Sequence, residues 1–212
     1  MYLQLADRSR ALEQSFGSSM SKAEKSLRAA FATNDLRRIC SAIDFAVIRC
    51  GVTEVARKAD VSRTTLYRAF RCRNGPALDT MLKVMSALGF HLTVEAGRRS
   101  IFPAVNLLSQ RAPSPQMKAM ARSLTAAFRS GDPTAAIEAL AETLRAQENV
   151  SELARNTIRW RETLYRTFSY PNVPRFSTVL SFLDALGFQF SVEPLFQNSD
   201  NNIARPTSSD SS

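Results

Sequence analysis

The residues best suited to chemistry fall in one short run, RTTLYRAFR from Arg63 to Arg71. Leu66, Ala69 and Phe70 recur there at helical spacing, which sets Arg63, Thr64, Tyr67, Arg68 and Arg71 on the opposite, outward face. This face offers positive charge and hydrogen-bond donors, so its chemistry is recognition of an acceptor-rich polyanion. Arginine presents a planar fork that matches the O6 and N7 acceptors of guanine. Arg63 and Arg68 are therefore the candidates to read base edges, with Thr64 and Tyr67 reading neighbouring bases or phosphates. Thr53, Arg57, Lys58, Arg71, Arg73 and Lys83 are the candidates to hold phosphates, which position a protein on a duplex without reading its sequence. The competing reading of the outward face is an ordinary solvated helix surface, and for Tyr67 a packing role.

Those side chains need elements to aim them. Thr53 can cap a short helix that turns Val55, Ala56 and Ala59 inward, before Asp60, Val61 and Ser62 break the period. Asp60 tolerates the left-handed conformation that a tight turn between helices requires, and Ser62 can cap the helix that follows. Upstream, Leu36, Ile39, Cys40, Ile43, Phe45, Val47 and Ile48 outline a long helix, with Asn34 or Asp35 as its cap and Gly51 as its stop. Downstream, a helix over Leu78 to Leu88 leads into FHLTVE, where Phe90, Leu92 and Val94 alternate as in a strand.

The chain contains this arrangement twice. VTEVARKADVSRTTLYRAF from Val52 aligns without gaps on VSELARNTIRWRETLYRTF from Val150, and SALGFHLTVE continues onto DALGFQFSVE. About 20 of roughly 45 positions are identical over that span, and KSLRAAFATND from Lys25 resembles RSLTAAFRSGD from Arg122. The division that follows is an N-terminal segment 1–20, a first domain 21–96, a linker 97–116, a second domain 117–196 and a polar, disordered tail 197–212. The fold class is mainly α: two tandem small helical domains, each ending in a short β-strand. A lone strand cannot satisfy its backbone groups, so the two strands are expected to pair with each other or with a second chain, as an intramolecular pseudo-dimer or a homodimer.

The copies differ in charge and in turn chemistry. The first carries about 15 basic and 7 acidic residues and the second about 9 and 8, a contrast of roughly +8 to +1. Where the first has Asp60, Val61 and Ser62, the second has Ile158, Arg159 and Trp160, placing a β-branched residue in the tight turn. Trp160, Arg161, Glu162, Tyr165 and Arg166 are therefore secondary candidates for contact with DNA or with a partner protein.

Small Ala56, the turn at Asp60 and apolar Val61 together resemble the helix-turn-helix of Cro and phage repressors. The whole unit, including Asn74-x-Pro76 and ALGFHLTV in the first copy and GDPTAAIEAL and NVPRFSTVLSFLDALGF in the second, more closely resembles the addiction-module antidote family. The resemblance implies a helix-turn-helix fold whose second helix, 63–71, enters the major groove, and hence a transcriptional regulator, a repressor, that binds double-stranded DNA. It also implies the alternative of an antitoxin or antiactivator that binds a small toxin or other regulatory protein. Members are usually about half this length, so the duplication departs from the family pattern.

Composition agrees. Among 212 residues, 28 Lys and Arg face 19 Asp and Glu, for a formal charge of +9, and the pI is near 10.1. This balance favours nucleic acid over an anionic membrane as partner. Three cysteines without a C-x-x-C pair favour thiols over disulfides or zinc, and His91 is the only histidine. No phosphate loop, paired carboxylates or metal cluster emerges. The expectation is therefore no enzyme, no cofactor and no metal. With no secretory apolar core near the start and no apolar run of about 20 residues, the expected location is cytoplasmic and not a membrane.

Overall fold

The computed structural model of the chain describes residues 22–71, 74–96, 114–146, 165–169 and 171–195. The first unit runs α1 (22–31), α2 (Leu36–Cys50), α3 (Val52–Lys58), α4 (Arg63–Arg71), α5 (Leu78–Ala87) and β1 (Phe90–Ala96). The second runs α6 (Pro115–Arg129), α7 (Pro133–Arg145), α8 (Phe176–Ala185) and β2 (Phe188–Pro194). A further helical turn lies at 165–167. The mainly helical, duplicated fold expected from the repeat is thus observed, each unit closing on a strand. α6 begins at Pro115, within the stretch read as linker, where Ser114 caps it by accepting from the Met117 N–H.

Equivalent residues in the two units solve equivalent problems. Asp35 caps α2 by accepting from the Arg37 N–H at 2.8 Å, and Asp132 caps α7 by accepting from the Thr134 N–H at 2.9 Å. Before each cap the chain adopts positive φ, 51° at Asn34 and 72° at Gly131. Gly51, with φ 88°, both ends α2 and precedes α3, and its backbone makes the sharp change of direction that a side chain would oppose. Thr53 therefore does not cap α3: the cap is Gly51, two residues earlier, so the helix starts at Val52 and Thr53 is exposed within its first turn.

The strands pair with each other. β1 and β2 are antiparallel, with Leu92 opposite Val192, Thr93 opposite Ser191 and Val94 opposite Phe190. Thr93 and Ser191 are equivalent positions of the repeat, so the pseudo-twofold axis passes between them. A second bridge, Ala77 to Arg175, also joins equivalent positions, flanked by hydrogen bonds from the Leu78 N–H to Pro174 O and from the Phe176 N–H to Pro76 O, both 2.9 Å. The axis is thus pinned at two places by backbone hydrogen bonds. The expectation of an internally paired dimer-like chain holds.

The leading helices cross over. Arg28 on α1 donates from Nε to Val192 O of β2 at 3.0 Å. Its repeat partner Thr125 on α6 accepts from the Val94 N–H of β1 at 2.9 Å and donates to Val94 O at 3.0 Å. Within the second unit, Arg129 of α6 forms an ion pair with Glu193 of β2. Between these layers Phe190 touches Phe31, Phe128 and Phe176, at centroid distances of 6.5, 5.1 and 5.2 Å. All four rings are buried, so one aromatic cluster serves both units. No helix among the described residues is long and apolar enough to cross a membrane.

Two outcomes follow from this shared core. Phe190→Ala should cost about 3–5 kcal/mol, and both units should melt in one denaturant transition; two separate transitions would show independent cores. His91 lies half-buried on β1 opposite Glu193. Burial first, then the Arg129 guanidinium, holds its imidazole below the ordinary 6.5 against the opposing pull of Glu193. Because the unfolded chain takes up this proton more readily, its stabilising contribution is complete above pH 6.5 and is lost as pH falls toward the depressed folded value. Denaturation midpoints followed below pH 6.5 should fall less steeply in His91→Gln than in the parent chain.

Candidate nucleic-acid interface

The turn between α3 and α4 fixes the angle at which the basic helix is presented. Asp60 has φ 51°, the left-handed conformation expected of it. The Val61 N–H donates to Ala56 O at 3.0 Å and the Asp60 N–H to Arg57 O at 3.3 Å, the paired closure of a Schellman turn. Val61, partly buried, then packs against the core. Ser62 accepts from the Thr65 N–H at 3.0 Å and exchanges a 2.8 Å hydrogen bond with the Thr65 hydroxyl, starting α4 one residue after the turn.

On α4, Leu66 and Phe70 are buried, which locks the rotation of the helix about its axis. Arg63, Thr64, Tyr67, Arg68 and Arg71 all stand exposed on one side. The Arg71 guanidinium carbon lies 5.1 Å from the Tyr67 ring centroid, a cation–π pair at i, i+4. Tyr67 is therefore neither core nor free of contacts: its ring carries a cation while remaining accessible. That pairing was legible as spacing in the sequence but was not drawn from it.

The phosphate candidates separate into distinct situations. Arg57 donates to Glu54 through Nε at 3.1 Å and Nη2 at 2.8 Å, and Lys58 approaches the same carboxylate at 3.5 Å. The hydrogen bond from Arg57 holds the Glu54 carboxyl below its ordinary range, so one carboxylate partly neutralises two cations on α3. Arg63 and Arg68 have no acidic partner within ion-pair distance among the described residues. Lys83 is exposed on α5 and Thr53 on α3, while Arg73 lies outside the described residues.

In the second unit Trp160, Arg161 and Glu162 lie outside the described residues, as does the turn at Ile158. Arg166 is exposed, whereas Tyr165 is half-buried and lines a cavity of about 270 Å³ with Ile137, Leu144 and Phe168. The position equivalent to Arg71 is Ser169, which donates to Tyr165 O at 2.6 Å. The repeat position of the arginine that covers Tyr67 is thus held by a serine. Phe45 and Ile48, counted among the apolar residues that outline α2, are exposed, because Ile39, Cys40, Ile43, Ala46 and Val47 already fill its inner face.

A family model described as "probable addiction module antidote protein" matches the chain twice, over residues 16–96 and 114–194. Each match spans one copy of the repeat, from ahead of its leading helix to its strand. Comparison with curated proteins and with solved structures gave no match.

The turn yields a direct test. Asp60→Ile, which installs the residue present at position 158, should cost about 1–2 kcal/mol, since a β-branched side chain opposes positive φ. Asp60→Gly should leave stability near that of the parent. Equal denaturation midpoints for the two variants would refute the strain assigned to this turn.

Proposed function

Because the chain belongs to the family of probable addiction module antidote proteins, we propose that it is a cytoplasmic DNA-binding transcriptional regulator, a repressor that reads the major groove mainly through α4. The observation that carries this reading is the α4 face itself: Arg63 and Arg68, without acidic partners among the described residues, stand exposed on a helix aimed by a Schellman turn and rotated by Leu66 and Phe70. Arg63 and Arg68 take guanine edges, and Thr64 and Tyr67 contact adjacent bases. Arg71, held against Tyr67, reaches a phosphate together with Arg57 and Lys58. Binding is the whole activity in this reading, with no bond-making step and no cofactor.

The family description favours a second reading, in which the chain is an antidote that neutralises a small toxin or other regulatory protein by binding it. The two are compatible in one molecule, since the first unit holds the basic helix and both units offer further surface.

Duplex DNA titrations at increasing salt test the first reading. Affinity should fall steeply, because a first unit of about +8 releases counterions as it docks. Arg63→Ala should change which base is preferred at one position, while Lys58→Ala should weaken all sequences about equally. Affinity indifferent to salt, or equal and sequence-blind losses from both variants, would overturn the reading.

A further inference from the structure

Among the described residues four large apolar side chains stand exposed: Phe45, Ile48, Tyr67 and Val173. Tyr67 belongs to α4, and Val173 lies in the loop before α8. Phe45 and Ile48, 59% and 54% exposed, sit three residues apart on the outer face of α2. Both side chains remain more than half exposed among the described residues.

The duplication provides an internal control. Aligning the capping residues Asp35 and Asp132 places Glu142 at the position of Phe45, Arg145 at that of Ile48 and Glu138 at that of Ser41. All three are exposed on α7, a helix with the same cap and the same inward packing. The fold therefore has no need of an apolar residue at either position. Exposed neighbouring hydrophobic groups on one copy, where the other carries charge, mark a surface kept for a contact.

The surroundings of Phe45 and Ile48 say what that contact is made of. Arg37 and Arg38 stand exposed toward the start of α2 and Arg49 at its end, with the Arg49 guanidinium 5.9 Å from the Phe45 ring centroid. Beside Phe45 an open groove of about 620 Å³ runs between α1 and α2, floored by Ala29, Ala30 and Ala42. Small side chains there let another backbone approach closely, and cations flank the apolar centre on both sides. A nucleic acid would satisfy the arginines but would leave Phe45 and Ile48 against phosphate and sugar.

We propose that this face of α2 docks an acidic amphipathic helix of a partner protein. Its apolar side chains cover Phe45 and Ile48 and enter the groove over Ala42, while its carboxylates pair with Arg37, Arg38 and Arg49. This deepens the partner-binding reading by naming its surface and the chemistry of its ligand. It does not depend on α4.

The probe is a displayed library of helical peptides selected on the full-length chain. Enriched peptides should carry apolar residues at i, i+3 or i+4 and i+7, bordered by Asp and Glu. Binding of a selected synthetic peptide should weaken about tenfold or more in the double variant Phe45→Glu, Ile48→Arg, which takes the residues that α7 already holds at these positions. Duplex DNA affinity and thermal midpoint of that variant should match the parent, which separates failure of this proposal from failure of the DNA reading. Should the double variant misfold, Arg38→Glu serves instead: it should weaken the acidic peptide and strengthen the same peptide with its carboxylates replaced by lysine. Enrichment of peptides without acidic residues, or equal binding to parent and variants, would overturn the proposal. So would loss of duplex affinity in the folded double variant, which would assign the face to nucleic acid.

Discussion

A seven-residue strand projects backbone N–H and C=O groups along both edges, and a small helical unit has no second strand of its own to receive them. β1 and β2 meet this requirement by pairing with each other, and the remaining architecture follows from that pairing. Placing Thr93 opposite Ser191 sets a pseudo-twofold axis, and the same axis explains why Ala77 meets Arg175. It also brings α1 within reach of β2 and α6 within reach of β1, so Arg28 and Thr125 can each hydrogen-bond the other unit's strand. The aromatic cluster around Phe190 then closes across the junction. In a single-unit protein such pairing would require a second chain; here the duplication holds both halves in one chain, where pairing is independent of protein concentration.

A fused dimer also permits what a homodimer forbids. Two identical chains must present identical surfaces, whereas two covalently joined copies can diverge while sharing a core. The scaffold residues have stayed alike: capping Asp35 and Asp132, Phe31 and Phe128, Phe90 and Phe188. The surfaces have not. Net basic charge concentrates in the first copy, Arg71 over Tyr67 is replaced by Ser169 near Tyr165, and Phe45 and Ile48 on α2 give way to Glu142 and Arg145 on α7. Under the proposed function this divergence yields one strong and one weak reading head, with the outer face of α2 left for a protein partner.

Much of the fold was legible in the sequence because it is written in local rules. The repeat located the units, alternation located both strands, and Asp60 announced the left-handed turn that its φ of 51° displays. The cap of α3 was misplaced by two residues because Gly51, which was read as a stop for α2, also serves as the start of the next helix. The exposure of Phe45 and Ile48 escaped notice for a geometric reason: a helical period accepts any apolar residue near a stripe, and only the observed packing shows that Ile39, Ile43 and Val47 had already filled the inner face. The sharing of Glu54 by Arg57 and Lys58 likewise depends on rotamers that spacing alone leaves open. Crossing contacts such as Arg28 with Val192 are the least legible, since no pattern within one unit encodes a hydrogen bond to the other.

Under the proposed function, one chain already constitutes the dimer and reads DNA asymmetrically. Native mass measurement of the protein on its footprinted DNA site tests this most directly. The account predicts one chain per site, on a non-palindromic footprint whose strong half lies under Arg63 and Arg68 and whose weak half is sensitive to Arg161→Ala and Arg166→Ala. Two chains on a symmetric palindrome, indifferent to those two substitutions, would contradict it.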